Sequence, residues 1–172
     1  TKYGIALEAH LQNAIATFRK DGLLDTMYIR DFEGLRIDKA QLNEMGYSTS
    51  HFHEKSRILT DSKTSVFNKA FYSTVQNHLG ELILTISKAS NDSNLERHMW
   101  YIVRDVLDNI FDQLVHSTHK SNQVNENRIN EIKDTMFAPF IDYKCVTTMR
   151  LEDEAHHYTY IKVNNPLYRE NN

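Results

Sequence analysis

Residues Asn94 to His119 read NLERHMWYIVRDVLDNIFDQLVHSTH, and no other stretch constrains the chain as strongly. Met99, Val103, Val106, Ile110 and Leu114 recur at spacings of four, three, four and four. Trp100, Leu107 and Phe111 widen this stripe, which has the rhythm of one buried helical face. Arg97, Arg104, Asp105, Asp108, Asp112 and Gln113 occupy the other side and want water. Ser93 and Glu96 have the spacing of a capping box. His116, His119 and Lys120 fall where the helix dipole favours positive charge. Such a helix is about 39 Å long and needs other elements to cover its apolar side.

The neighbouring patterns supply candidates. Asp61 or Ser62 caps a second long helix, reaching about Ala89, with Phe67, Phe71, Val75, Leu79, Leu82 and Ile86 as its stripe. Gly80 inside it costs about 1 kcal/mol relative to Ala and so suggests a close helix crossing. The polar link Ser90–Ser93 then predicts an antiparallel αα-hairpin of residues 62–89 with 94–119. Tyr3 to Lys20 reads as a first helix, carrying Ile5, Leu7, Leu11, Ile15 and Phe18 on one side and stopped by Asp21-Gly22. His10 sits beside that stripe as a partly buried structural histidine. Lys39 to Met45 is a short helix with Gly46 as its stop, and Gln123 to Phe137 is a further one ended by Pro139.

Two stretches change period. Thr26–Phe32 and Leu35–Asp38 flank Glu33-Gly34 and suggest a small hairpin, with a continuing helix as the rival reading. Lys144–Leu151 and His157–Val163 both alternate around a turn at 152–156. The expected fold is therefore mainly α (α+β). It is a single domain over 1–172, with an antiparallel helical bundle over about 3–140. A small antiparallel sheet comes from residues 26–38 and 144–163, and a polar tail covers 164–172.

Composition narrows the function classes. The 172 residues include 5 Gly and 2 Pro, too few turn formers for a many-stranded sandwich or barrel. Net charge is -3, which gives nucleic-acid binding no compositional support. Cys145 is the single cysteine, so no intrachain disulfide forms, and a reducing compartment is favoured. No apolar run reaches membrane-spanning length. The expectation is a cytoplasmic protein, or a soluble domain excised from a larger one. Gly-x-Ser-x-Gly, P-loop and dinucleotide glycine patterns are missing from the sequence.

Nine histidines raise the question of metal. His51, His53 and Glu54 lie together, and Glu154, His156 and His157 offer more ligands if the two loops meet. Imidazole and carboxylate suit divalent zinc or iron. The alternative metal set is His51, His53 and His157, weighed against solvated loop histidines. Phe52-His53-Glu54 through Leu59 resembles the phosphoacceptor box of sensor histidine kinases, without the proline usual there. Arg150 and His156 have a spacing that resembles the Arg-x(4–6)-His element of HEPN ribonucleases. That resemblance implies a dimeric helical bundle, with His156 as an acid/base group near neutral pH. The acidic trio Asp105, Asp108 and Asp112 shares one ridge of the central helix and reads as a solvated face rather than a cation site.

These signals leave three classes of function. The first is a non-enzymatic regulatory or interaction domain, sensing a ligand or partner or driving oligomerisation, with a protein partner or self-association and no cofactor. The second is a metal-dependent hydrolase using the histidine cluster and a divalent metal. The third is a HEPN-like ribonuclease using Arg150 and His156. Absence of a strong catalytic signature favours the first.

Overall fold

A computed structural model of the chain describes residues 3–118, 123–145 and 159–170. The backbone divides into two compact units, Thr1–Leu82 and Ile83–Asn172.

The first unit opens with strand β1, Ile5–Ala6. A 3-10 turn at Leu11–Asn13 leads into β2, Ala14–Phe18, which pairs antiparallel with β3, Leu24–Ile29. Ile15 faces Tyr28 on one side of this ribbon, while Met27, Leu24 and Phe18 lie on the other, and all five side chains are exposed. The hairpin turn uses Gly22 at φ 82°, with the Leu23 amide donating to Asp21 Oδ1. β4, Arg36–Asp38, pairs antiparallel with β1 and parallel with β5, Leu59–Thr60. Asp38 is buried at the end of β4 and accepts the Gln41 amide, so it caps α1, Lys39–Glu44. Gly4 packs so close to α1 that an added Cβ would lie 2.9 Å from the Cβ atoms of Asp38 and Gln41.

Ser62 caps α2, Lys63–Ala70, by accepting the Ser65 amide. The helix then changes winding. Phe71–Leu79 is π-helical, and Gly80 N–H bonds the Val75 carbonyl five residues back. Ordinary winding resumes in α3, Gly80–Ser90. Gly80 therefore marks a change of pitch.

The second unit is built on α4, Leu95–Thr118, and α5, Gln123–Met136, which pack on each other. Asp92 Oδ1 accepts the Asn94 amide in the turn just before α4. Trp100 and Phe111 are buried, and Phe111 meets Phe137 edge-on with ring centres 5.8 Å apart. β6, Phe140–Lys144, pairs antiparallel with β7, Tyr160–Asn164. Asn165 ties the return of the chain to the end of α5, its Nδ2 donating to the carbonyls of Met136 and Ala138. Leu167, next to this clamp, is fully buried.

The expected helical bundle over 3–140 is not the fold. Residues 3–20 form β1, a turn and β2, because Ala14–Phe18 finds a cross-strand partner in Leu24–Ile29. Asp21-Gly22, expected as a helix stop, forms the β2–β3 hairpin turn. A left-handed glycine serves a helix end and a hairpin turn equally well, so that signal does not discriminate. α4 packs with α5, and the expected bundle built on an αα-hairpin of residues 62–89 with 94–119 is not the fold. Among the described residues, 26–38 and the strands at 140–144 and 160–164 belong to different sheets. Residues 146–158, which carry most of the expected C-terminal hairpin and its turn at 152–156, lie outside the described residues. β3 pairs with β2, β4 lies between β1 and β5, and β6 pairs with β7.

Candidate functional site

In the first unit a group of polar side chains surrounds the strip Leu7–Asn13, between β1 and β2. Asn13 is 4% exposed. Its Nδ2 donates to the Glu8 carbonyl at 3.2 Å and lies 3.5 Å from His10 Nε2. Its backbone amide bonds the His10 carbonyl, and its carbonyl receives the Arg30 amide, both at 2.9 Å. The last bond brings the end of β3 against the strip. The next residue, Asp31, adopts φ 64° without being glycine. A left-handed backbone at a non-glycine residue costs about 1 kcal/mol and gathers at functional sites. Asp31 Oδ1 accepts the Glu33 amide at 3.3 Å, closing the Asp31–Gly34 turn.

That turn folds back on the strip. A Cβ placed on Gly34 would collide with the Glu8 carboxylate in its present position, so a larger residue there would displace that side chain. The same carboxylate meets Lys69 Nζ of α2 at 2.5 Å, with side chains 29% and 16% exposed. Arg30 Nε donates to the Gln12 carbonyl at 3.2 Å. The strip and the segments bonded to it thus carry two cations, the His10 imidazole, and the acidic residues Glu8, Asp31 and Glu33. This mixture suits a reactant or set of reactants bearing both negative and positive groups.

The second unit holds a different charge network. Arg104 Nε donates to Asp108 Oδ2 and its Nη1 to the Leu167 carbonyl, both at 2.7 Å, while the guanidinium lies 3.5 Å from the centre of the Phe137 ring. Lys133 bridges Asp108 and Asp112 at 3.2 and 2.9 Å. Burial pushes the Asp108 carboxyl up, but hydrogen bonds from Arg104 and Lys133 outweigh it and hold the group below its ordinary range. The bond to Asp112 holds the Lys133 ammonium above its usual range; partial burial opposes it and the Asp108 bond adds to it. Asp105 pairs with Arg169 at 2.8 Å. Each carboxylate of the acidic trio therefore answers a cation, and this face is cohesive rather than merely solvated.

The sequence-derived site residues fare unevenly. His51 and His53 share one loop. The His51 ring lies against Phe52 with centres 4.5 Å apart, and His53 Nδ1 accepts the Lys55 amide. Their third partner, His157, lies outside the described residues, as do Arg150 and His156. Among the described residues, no group of three His, Cys, Asp or Glu side chains is placed to hold a metal ion. His10 belongs to the polar strip, not to the flank of a helix. Glu8, Asn13, Asp31 and Lys69 carry no motif that singles them out. The one local hint was Asp31-Phe-Glu-Gly34, whose Asp and Gly suit a turn.

Comparison with known proteins bears on this arrangement. Residues 1–159 match the family model for ferric iron reductase FhuF-like transporters. The chain is 99% identical over all 172 residues to D-ornithine–citrate ligase of Staphylococcus aureus (strain NCTC 8325 / PS 47), of which it covers 26%. It is 29% identical over 168 residues, 98% of the chain, to staphyloferrin A synthase of the same organism, again covering 26%. The fold is similar to that of the petrobactin biosynthesis protein AsbB of Bacillus anthracis, with a TM-score of 0.75 and 23% identity over 96% of this chain and 27% of that one. The chain thus spans about a quarter of the length of the relatives it matches.

These likenesses overturn the expectation of a non-enzymatic regulatory, sensing or oligomerisation module, because the relatives are ligases and synthases and the match runs through the whole chain. They point neither to a metal-dependent hydrolase nor to a HEPN-like ribonuclease. No helix among the described residues is long and apolar enough to cross a membrane. The long match from residue 1 to residue 159 makes the chain a member of the FhuF-like family.

Proposed function

We propose that this chain is one part of a longer ligase that joins citrate to D-ornithine, and that the Glu8–Asn13 strip with the Asp31–Gly34 turn helps to hold the charged reactants. The observation that carries this reading is the 99% identity over the whole chain to D-ornithine–citrate ligase. The chemistry fits the site. Citrate is a tricarboxylate and ornithine carries two amines, so binding them demands cations and carboxylates side by side. Lys69, Arg30, Asp31 and Glu33 supply both signs on the strip and the segments bonded to it. An amine attacks only after losing its proton, and a histidine is suited to such a step near neutral pH.

The test is the condensation of citrate with D-ornithine by the full-length protein supplied with ATP and magnesium, with product measured by mass spectrometry. The nucleotide is supplied because a citrate carboxylate must be activated by phosphoryl or adenylyl transfer before its oxygen can leave. The wild type is expected to form the conjugate. His10→Ala is expected to lower kcat/KM by about 100-fold or more, with folding intact. Absence of product from the wild type would refute the ligase reading. A His10→Ala protein within about threefold of wild type would remove the strip from the site.

A further inference from the structure

The π-helical segment Phe71–Leu79 has a job that ordinary winding could not do. Three consecutive residues of the polar strip are gripped by one helix. The Glu8 carboxylate takes Lys69 Nζ. The Leu7 carbonyl lies 3.3 Å from the Ser73 hydroxyl, which itself bonds the Lys69 carbonyl at 2.7 Å. The Ala9 carbonyl lies 3.0 Å from His78 Nδ1, and because a carbonyl only accepts, that nitrogen carries the proton.

The spacing explains the winding. An α-helix turns about 100° per residue, so positions four apart stay within about 40° of each other and positions five apart diverge by about 140°. Lys69 and Ser73 are four apart and would share a face in either case. Ser73 and His78 are five apart and would not. Hydrogen bonding from i to i+5 brings every fifth residue back to the same side, so His78 returns to the line of Lys69 and Ser73. Ser73 is 1% exposed, so this grip is internal.

We infer that the π-helical segment is a splint, and that His78, assisted by Ser73, is a positioning residue that fixes the backbone of Leu7–Ala9 and thereby aims Glu8 and His10. The catalytic side of this inference rests on the ligase reading above. Segments wound this way are uncommon and often lie at functional sites. Here the reason is geometric. The strip is held on one side by Asn13 and on the other by a helix whose pitch has been altered to reach it.

The test compares His78→Leu, which removes the donor, with His78→Asn, whose amide can replace it, both in the full-length protein. His78→Leu is expected to lower kcat for the citrate–D-ornithine reaction by about 10-fold or more while KM moves less than about threefold, since a small misplacement of reacting groups acts on the chemical step. His78→Asn is expected to recover most of that loss. Hydrogen exchange of the peptide covering Glu8–Asn13 should quicken in His78→Leu and not in His78→Asn, with the α4 peptide unchanged. Wild-type kcat in His78→Leu, or equal damage in both variants, would overturn the inference. If the wild type makes no conjugate, the ligase reading falls and hydrogen exchange alone decides, with unchanged protection of Glu8–Asn13 overturning the splint. Should His78→Leu fail to fold, Ser73→Ala takes its place with the same readouts.

Discussion

The two units each contain a network of charges, and the networks end differently. In the second unit the charges close on themselves. Arg104 is bound by a carboxylate, a backbone carbonyl and an aromatic face at once, and Lys133 sits between Asp108 and Asp112. In the first unit the contacts converge on backbone. Asn13, Ser73 and His78 all meet carbonyls of residues 7–9, and the arrangement orders a strip that carries Glu8 and His10. A closed network contributes cohesion. A network that fixes a backbone, as the first unit's does beside the Glu8–Lys69 pair, orders the segment that carries the His10 ring.

That contrast can be broken by experiment. If the second unit's polar and apolar contacts are for cohesion, changes there should cost stability and spare the chemistry. The largest effect is expected from Trp100→Ala, which should lower unfolding free energy by about 3–5 kcal/mol in urea denaturation followed by circular dichroism. Arg104→Met comes next, at about 2–3 kcal/mol, since it leaves the Leu167 carbonyl without its donor and Asp108 with one cation fewer. The same change in the full-length protein should leave KM for citrate within about twofold; a larger rise would mean that the second network reaches the reactants. The smallest effect is on pH. The Asp108 carboxyl is held below its unfolded value, so its contribution is fully present above that value and fades as pH falls through the lower folded one. Unfolding midpoints of wild type and Asp108→Asn should converge below about pH 4 and separate at neutral pH. A constant gap between them down to pH 3 would break the assignment.

How much of this was legible in the sequence depended on whether a signal had one meaning. Periodicity over 24 residues has one meaning, and α4 lies within a residue of its expected bounds, Leu95–Thr118 against 94–119. Of the two cap candidates for the next helix, Asp61 and Ser62, it is Ser62 that accepts the Ser65 amide. Residues 3–20 failed because Ile5, Leu7, Leu11, Ile15 and Phe18 fit a helical stripe loosely, while Ala14–Phe18 also fits a strand once a partner exists. That partner lies beyond the turn, and cross-strand pairing is not a local property. The candidate site was hidden for the same reason. Glu8 and Lys69 meet across sixty residues of sequence, the left-handed backbone of Asp31 leaves no mark on composition, and nothing in FYSTVQNHL announces a π-helix.

The β2–β3 ribbon has a practical consequence. Its apolar side chains lie exposed on both faces, Ile15 and Tyr28 on one and Phe18, Leu24 and Met27 on the other. A lone two-stranded ribbon is marginal in water, and bare strand edges invite other strands. Produced as an isolated piece, the 172-residue chain should therefore be sticky in proportion to its concentration. A single charge at Met27 is the first change to make for anyone who wants it to stay in solution.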